Sequence, residues 1–301
     1  METTAITVRV PATSANLGAG FDCLGLALDL FASISVRFGP EPQAPTDDVG
    51  EKMVLTAIRH LYEKIDRAAP PGVDAKYTVS IPLGRGLGAS AVARTAGVLA
   101  ANEFEGRPLD DDGVFSLVTE LEGHPDNACP AVFGGVQVCV STPSRLLHTG
   151  CRFPAETSVA VLIPERSIAT RDARRVLPDS YAREDAVHNI GRSTLFVAAL
   201  AAGRLDLLHE ATQDRIHQPQ RSSLFPGMTD IFSSGRAAGA HAVWLSGSGS
   251  CIAALCDPDA GRHVASAMLA TLEGLGERGK SIATHISRDG ASVSRIELLG
   301  A

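Results

Sequence analysis

The chain has 301 residues, enough for one large domain or two of ordinary size, and its 45% hydrophobic content can fill a substantial core. Its formal net charge of −7 at pH 7 argues against a general affinity for nucleic acid or anionic membranes, because both attract clustered lysine and arginine. No apolar run approaches the roughly 18 residues that would indicate a membrane span.

The six cysteines form neither a C-x-x-C pair nor a zinc-finger spacing. Most of them are therefore expected to be small buried hydrophobic side chains in a reducing compartment. The first residues lack a basic segment followed by an apolar core, so no leader sequence is expected. These observations together predict a cytoplasmic protein that binds neither nucleic acid nor membrane.

The first predicted element is a strand over residues 6–10, where apolar and polar side chains alternate, and it is expected to end at Pro11. The following segment, residues 11–22, is predicted to be a loop of small residues that can approach a ligand closely. It offers an amide, Asn16, and a carboxylate, Asp22. Both residue types also form turns by bonding to their own backbone, so ligand binding and turn formation both stay open.

A surface loop over residues 39–50 leads to a predicted helix over 53–65, and a predicted strand over 77–81 runs into a glycine-rich turn, residues 82–92. Glycine permits positive φ and close approach of the backbone to an anion, and a helix N-terminus favours phosphate. The sequence therefore predicts a phosphate-binding loop with Ser90 at the mouth of the next helix. A tight connection in which the glycines only permit packing is the alternative.

Four polar side chains that can bind a cation, hold a hydroxyl or move a proton follow a predicted helix end. They are Glu122, His124, Asp126 and Asn127. A solvated helix terminus would use similar residues, although their density before an apolar stretch favours function. Mg²⁺ prefers one or two carboxylates completed by phosphate and water, so one glutamate together with Ser90 would suffice.

Strands and helices interleave in both halves of the chain, which indicates an α+β fold with two layered sheets and a domain boundary near residue 153. Residues 142–154 carry few periodic signals. The remaining predicted elements are strands over 136–140, 158–163 and 242–245 and helices over 185–202 and 261–272.

Two later segments, residues 167–178 and 217–227, place arginines in patterned loops. An arginine fork binds carboxylates well, although single arginines are more often surface charges. The glycine-serine run at residues 246–250 is either a second anion-facing turn or a sharp connector.

Residues 274–281 match the spacing of a Walker A phosphate-binding loop, G-x-x-x-x-G-K-[ST]. A working loop of this kind follows a strand and precedes a helix, whereas here a predicted helix precedes the segment and a predicted strand follows it. We therefore interpret residues 274–280 as a helix end and a connecting loop.

Together these segments resemble the GHMP family of small-molecule kinases over nearly the whole chain, and in particular its homoserine-phosphorylating branch. Residues 11–22, 82–91 and 246–250 look like the family's three motifs, in the family's order. The segments similar to those that mark the homoserine-specific branch are E-G-H-P-D-N at 122–127, T-x-x-A-R-x-x-L-P at 170–178 and P-x-R-x-x-L-x-P-G at 219–227.

The resemblance implies a two-domain GHMP kinase fold, each half a β-sheet layered with helices, with the active site in the cleft between them. Residues 1–153 would form the ATP-binding domain and residues 154–301 the C-terminal kinase domain. The implied reaction transfers the γ-phosphoryl group of MgATP to the hydroxyl of L-homoserine, a step of threonine biosynthesis. Positioning and charge neutralisation would supply most of the rate.

The resemblance also implies a role for each matching residue. Ser90 and Glu122 match the positions that hold Mg²⁺. The matching ATP-binding loop consists of Pro82, Leu83, Gly84, Arg85, Gly86, Leu87, Gly88, Ala89, Ser90, Ala91 and Val92. The homoserine pocket would be lined by Asn16, Asp22, His124 and Asn127, with Asp22 on the ammonium, Arg174 and Arg221 on the carboxylate, and Thr170 near the reacting hydroxyl.

Asp126 matches the aspartate that serves as base in some relatives, and its role stays open here. Ala89 replaces a serine of the family loop, and Ser250 replaces the common proline of the third motif. Lys52 stands where an asparagine is frequent, which leaves adenine recognition open. A mevalonate-type or sugar-type kinase and a non-catalytic small-molecule sensor are the alternative functions, and a homodimer is one open assembly.

Overall fold

The computed structural model describes residues 3–299, in which two antiparallel sheets are covered by helices. The strands are β1 (Thr3–Ala15), β2 (Leu24–Gly39), β3 (Gly72–Val79), β4 (Val136–Ser141), β5 (Leu146–Cys151), β6 (Ser158–Pro164), β7 (Ala242–Leu245), β8 (Ile252–Cys256), β9 (Gly279–His285) and β10 (Ser292–Leu299). The helices are α1 (Val49–Lys64), α2 (Ala89–Phe104), α3 (Asp111–Glu122), α4 (Pro125–Phe133), α5 (Thr170–Arg175), α6 (Arg183–Ala201), α7 (Leu208–Ala211), α8 (Gln218–Arg221), α9 (Met228–Ala237) and α10 (Gly261–Gly274).

The first sheet has the order β10-β1-β2-β4-β5, with β3 also paired to β2. The long strand β1 corrects the expectation of a strand end at Pro11, because the chain stays paired with β2 as far as Ala15. The register shifts between Pro11 and Thr13. Proline lacks an N–H donor, and an irregularity in the ladder is where a strand tolerates it.

Helices α1 to α4 cover one face of the first sheet. Alternate side chains of a strand point to the same face, so Ile6, Val8 and Val10 of β1 all enter the core beneath these helices. The facing surface of α2 is built mainly from alanine, which lets α1 and β1 approach it closely. This packing fixes the N-terminus of α2, and with it the end of the glycine-rich turn.

The second sheet has the order β7-β8-β6-β9. Val159 and Val161 of β6 pack with Leu24 and Leu26 of the first sheet, whereas Leu162 faces the core under α9 and α10. Both faces of β6 are therefore buried, which explains its unbroken apolar sequence. One apolar cluster joins the two sheets and holds the segments that connect their ends.

The predicted boundary near residue 153 falls between β5 and β6, which belong to different sheets. The last strand, β10, returns to the first sheet and pairs with β1. The division of the chain at residue 153 stays a prediction. β5 itself was not predicted, because it is an edge strand whose residues are exposed or half-buried and lack a clear apolar period.

The helix predictions at 185–202 and 261–272 are confirmed by α6 and α10. α1 begins before residue 53 because the Asp48 side chain accepts a hydrogen bond from Glu51 N at 2.8 Å and caps the helix. β3 ends at Val79, so only part of the predicted strand 77–81 is paired. Among the residues described, no helix combines the length and the apolarity needed to cross a membrane.

The Walker A lookalike has the structure expected of a helix end. Gly274 is the last residue of α10, Gly276 has φ of 79°, and Lys280 lies in β9. The prediction of a helix end and loop is confirmed.

Gly97, in the middle of α2, tests the close packing of α1 on α2. A Cβ there would lie 2.4 Å from the Val54 carbonyl oxygen and 3.0 Å from the Ala57 Cβ. Alanine favours a helix over glycine by about 1 kcal/mol, but overpacking against a rigid neighbour costs about 1–3 kcal/mol. We expect Gly97→Ala to lower the free energy of unfolding measured by urea denaturation.

Gly191, an exposed position of α6, is the matched control. No atom lies within 4 Å of a Cβ built there, so Gly191→Ala should raise the free energy of unfolding by up to about 1 kcal/mol. Equal stabilisation by the two substitutions would contradict the described contact between α1 and α2.

Candidate active site

A cavity of about 360 Å³ opens where segments of the two sheets meet. Every site residue predicted outside the glycine-rich turn lines it. These residues are Asn16, Asp22, Glu122, His124, Asp126, Asn127, Thr170, Arg174 and Arg221. Segments from both halves of the chain therefore converge on one space, as motifs of a single site would.

The glycine-rich turn forms one wall of the cavity, which Leu83, Gly84, Gly86, Gly88, Ala89 and Ser90 line. The three glycines have φ between 65° and 83°. A Cβ on Gly86 would lie 2.1 Å from the Ser246 carbonyl oxygen, and one on Gly88 would lie 1.9 Å from Thr13 Oγ1. Both predicted reasons for glycine therefore apply, because these residues permit tight packing and also border the cavity.

The hydrogen bonds of this turn leave its N–H groups unused. The carbonyl oxygens of residues 84–87 all accept bonds from the protein, from Ile168 N, Cys251 N, Ser246 Oγ and Thr13 N. In the described part of the chain, the N–H groups of residues 84–91 have no acceptor. Successive unpaired N–H groups at the N-terminus of a 16-residue helix form an anion-binding surface.

Glu122 lies across from this surface and is held on both carboxylate oxygens. Ser90 Oγ donates to Oε2 at 2.9 Å, and Arg94 Nη1 donates to Oε1 at 2.5 Å. Ser90 and Arg94 are four residues apart on α2, so their side chains lie on one face. Glu122 is the last residue of α3, and Gly123 after it takes the left-handed conformation. The Glu122 side chain is only 4% exposed.

The start of α4 brings three further polar side chains to the wall. His124 Nδ1 is 2.6 Å from Asp126 Oδ1, and Asn127 Oδ1 accepts a hydrogen bond from Thr13 Oγ1 at 2.8 Å. Burial lowers the pKa of His124, but the hydrogen bond and charge of Asp126 outweigh it, so the pKa lies above the ordinary value. Proline at the first helical position, Pro125, fixes the start of α4.

Asn16 and Asp22 form a turn and also line the cavity, so both readings of residues 11–22 apply. Both have positive φ, and Asn16 Oδ1 accepts a hydrogen bond from Asp22 N at 3.1 Å. Asn16 Nδ2 donates to the Gly247 carbonyl oxygen at 3.0 Å and ties this turn to the second sheet. The Asp22 carboxylate accepts two hydrogen bonds from Arg174, at 2.7 and 3.0 Å.

Arg221 is 2% exposed and has no carboxylate partner among residues 3–299. Its Nε donates to the Ala173 carbonyl oxygen at 3.1 Å, and its Nη1 donates to the Gly247 carbonyl oxygen at 2.9 Å. Burial and the neighbouring Arg174 lower the pKa of Arg221 to about 10, which keeps it charged at neutral pH. Phe21 lies under both guanidinium groups, at 5.3 Å from that of Arg221 and 5.5 Å from that of Arg174.

The glycine-serine run at 246–250 connects β7 to β8 beside the cavity. Gly247 and Ser248 line it, and the Ser248 hydroxyl lies 3.5 Å from that of Thr170 at the start of α5. The run is therefore a sharp connector that also borders the site.

Some lining residues were missed by sequence reasoning, and some predicted ones lie elsewhere. Arg94, Val49, Met53, Gly247 and Ser248 line the cavity without having been named as site residues. Gly247 and Ser248 belong to the glycine-serine run for which an anion-facing turn was one of the two predictions, and Arg94 lies one predicted helical turn after Ser90. The residues of the predicted ATP-binding loop that do not line it are Pro82, Arg85, Leu87, Ala91 and Val92. Lys52 does not line it either, and its ammonium lies 3.5 Å from Asp47.

Comparison with known proteins adds two family models. Residues 52–135 match the GHMP kinases N terminal domain, and residues 196–274 match the GHMP kinases C terminal model. The chain is 42% identical to a homoserine kinase from Deinococcus radiodurans, covering 81% of each protein. It is 36% identical to a homoserine kinase from Synechocystis, covering 96% of this chain and 98% of that one.

Solved structures agree with these relatives. A homoserine kinase from Cytophaga hutchinsonii superposes with a TM-score of 0.87 at 28% identity, covering 96% of this chain and 97% of the other. A mevalonate kinase superposes with a TM-score of 0.67 at 15% identity and shares the fold.

The His124–Asp126 pair generates a prediction about protonation. Because the folded pKa of His124 is raised, the pair stabilises the fold below the unfolded value near 6.5, and that contribution is lost as pH rises through the folded pKa. In Asp126→Asn the burial remains but the charge is gone, so the pKa of His124 should fall below its ordinary value. An NMR titration of the imidazole resonances measures it.

Asp257→Asn is the control, since Asp257 contacts His241 outside the cavity, at 2.8 Å. It should leave the titration of His124 unchanged. An unshifted His124 in Asp126→Asn would contradict the described pair.

Proposed function

The chain belongs to the GHMP kinase family and, within it, to the homoserine kinases, and we propose that it transfers the γ-phosphoryl group of MgATP to the side-chain hydroxyl of L-homoserine. The observation that carries this proposal is the buried Arg221, a guanidinium at the cavity wall with no carboxylate partner in the described chain. Asp22 and Asp214 act on this charge only from a distance, so a carboxylate of the substrate would be its first direct ion-pair partner at a site where burial makes such a bond favourable.

At the other end of the cavity, the unused N–H groups of residues 84–91 fit a triphosphate. The carbonyl oxygens of residues 84–87 accept hydrogen bonds from other parts of the protein. The N–H groups of residues 84–91 therefore remain available to donate to an anion. The helix dipole of α2 adds a favourable field at the same point. Gly84 has only the Ser167 Cβ within 4 Å of a Cβ built on it, which leaves room on this side of the turn.

Ser90 and Glu122 form a donor set that fits Mg²⁺ bound together with ATP. A hydroxyl and a carboxylate oxygen, 2.9 Å apart, supply hard oxygen ligands, and Mg²⁺ completes its shell with phosphate and water rather than with a full protein cage. The ion, when bound, neutralises charge that develops on the transferred group. Glu122 and Ser90 would hold the ion next to the N-terminus of α2.

The acceptor end suits a zwitterion. Asp22 and Arg174 form a two-bond ion pair at the cavity wall, so an amino acid can replace it with its ammonium on Asp22 and its carboxylate on Arg174 and Arg221. A ligand with only a carboxylate could bind Arg221 but would leave Asp22 paired with Arg174 and gain no bond to Asp22, whereas a ligand with only an ammonium would break the pair and supply no carboxylate to either arginine. Asn16 Oδ1 accepts a hydrogen bond from Asp22 N and so holds Asp22 in place. His124 and Asn127 line the same end and supply further hydrogen-bonding groups.

Thr170 and Asp126 border the place where the reacting hydroxyl would lie. Asp126 Oδ1 is engaged by His124, whereas Oδ2 has no donor in the described chain and can accept a hydrogen bond from the substrate hydroxyl. Phosphoryl transfer needs little base strength, because its transition state is loose. The role we assign to Asp126 is to hold His124 and orient that hydroxyl.

A substrate panel tests the proposed acceptor. We expect phosphorylation of L-homoserine, and kcat/KM lower by about tenfold to a hundredfold or more for 4-hydroxybutyrate and 3-amino-1-propanol, because each lacks one charge-assisted bond. Mevalonate and galactose should not react. ADP release in a coupled assay measures the rates.

Two results would overturn the assignment. Turnover of mevalonate or galactose with homoserine inert would indicate another kinase of the family. ATP binding without turnover of any acceptor would indicate a small-molecule sensor.

The phosphate end is tested by three substitutions. Ser90→Ala and Glu122→Gln should each lower kcat by about a hundredfold or more at saturating MgATP, because each removes one preorganised group at the developing charge. Lys280→Ala should leave kcat unchanged, since Lys280 lies in β9 and does not line the cavity. Loss of turnover in Lys280→Ala alone would restore the Walker A interpretation.

A further inference from the structure

One cation at the cavity wall has no part in the scheme above. Arg94 stands one helical turn after Ser90, and its side chain is 24% exposed. The other lining basic side chains described are His124, Arg174 and Arg221, and contacts with Asp126, Asp22 and Gly247 hold them at the acceptor end. Arg94 is therefore the guanidinium of the phosphate end.

The glycine-rich turn itself supplies no cation to the cavity. Arg85 is the residue that the sequence would nominate, because it lies inside the turn. Its guanidinium instead donates to the Pro164 carbonyl oxygen, and Arg85 does not line the cavity. The turn contains no lysine, so it presents N–H groups but no side-chain charge.

Arg94 has donors left for a ligand. A guanidinium carries five N–H groups in a planar fork, and in the described chain only Nη1 of Arg94 meets an acceptor, Glu122 Oε1 at 2.5 Å. That bond anchors the guanidinium on the helix face that also carries Ser90. Arg94 lines the same cavity as Gly88, Ala89 and Ser90, whose N–H groups are unused.

The charges at this end of the cavity also favour a role for Arg94 in phosphate binding. Glu122 is nearly buried, and a bare carboxylate there would repel a triphosphate. The Arg94 charge cancels that repulsion, and a fork that grips one carboxylate oxygen can grip a phosphate oxygen with its other edge.

We propose that Arg94 binds the triphosphate of ATP directly while it positions Glu122. This inference rests on the proposed function, in which the phosphates lie along residues 84–91. It adds a phosphate-binding side chain that works whether or not Mg²⁺ is present, because the interaction needs no metal.

Metal-free nucleotide binding isolates this role. Affinity for a non-hydrolysable ATP analogue is measured by calorimetry in EDTA, with no added Mg²⁺. Arg94→Met keeps the aliphatic stem and should weaken binding by about tenfold or more, the loss expected for a charge-assisted hydrogen bond. Arg94→Lys keeps the charge but not the planar fork, so its affinity should lie between those of the parent protein and Arg94→Met. Adenosine, which has no phosphate, should bind all three proteins equally.

Further variants separate binding from a merely structural role. Arg94→Met strands the Glu122 carboxylate, so Arg94→Met/Glu122→Gln removes it as well and should still bind metal-free analogue more weakly than Glu122→Gln alone. Arg59→Met, on the exposed side of α1, should bind as the parent protein does. Thermal unfolding checks that each variant is folded.

The outcomes distinguish this inference from the proposed function. Unchanged metal-free affinity in Arg94→Met, with weaker binding only in the presence of Mg²⁺, would show that Arg94 acts through Glu122 alone and would overturn the direct contact. If the parent protein binds no analogue in either condition, the proposed function fails and this inference fails with it.

Discussion

The end of the cavity where we propose that phosphate binds depends on two places at which the glycine-rich turn touches the rest of the protein with no room for a Cβ. Gly86 meets the Ser246 carbonyl oxygen in the second sheet's connector, and Gly88 meets Thr13 in the first sheet. The turn is therefore fixed between the two sheets, with its carbonyl oxygens consumed and its N–H groups left over. Donors fixed in advance need no reorganisation when charge develops, which is why they stabilise a transition state better than water does.

The same connector also fixes the residues of the proposed acceptor end. Ser246 bonds to the glycine-rich turn, and the next residue, Gly247, accepts hydrogen bonds from Asn16 and Arg221. Adjacent residues of one short connector thus hold the phosphate end and the acceptor end in a fixed relation. Transfer between two bound groups depends steeply on their spacing, and a misplacement of about 1 Å can cost a hundredfold in rate.

Periodicity predicted many of the elements, but it did not predict β2, β5, β8, β10, α4, α5, α7, α8 or α9. Pro11 looked like a strand end because proline cannot donate, yet the ladder with β2 continues past it through a register shift. The β5 strand has no clear apolar period because it is an edge strand that packs only Leu146 and Cys151 against the core. The candidate residues came from motif order, but the sequence could not show that Asp22 would face Arg174, since that contact depends on how two distant turns meet. The Walker A lookalike was rejected by element order alone.

Charge compensation explains which ligands the cavity can accept. Each carboxylate at its wall has a basic side chain within hydrogen-bond distance: Glu122 has Arg94, Asp22 has Arg174, and Asp126 has His124. Among the described lining residues, this leaves Arg221 as the cation without a carboxylate. A neutral sugar would leave that guanidinium uncompensated, and a simple hydroxy acid would satisfy it but leave Asp22 tied to Arg174. An amino acid would place its carboxylate on Arg174 and Arg221 and its ammonium on Asp22, so the preference for a zwitterion follows from complementary contacts to both charged groups of the ligand.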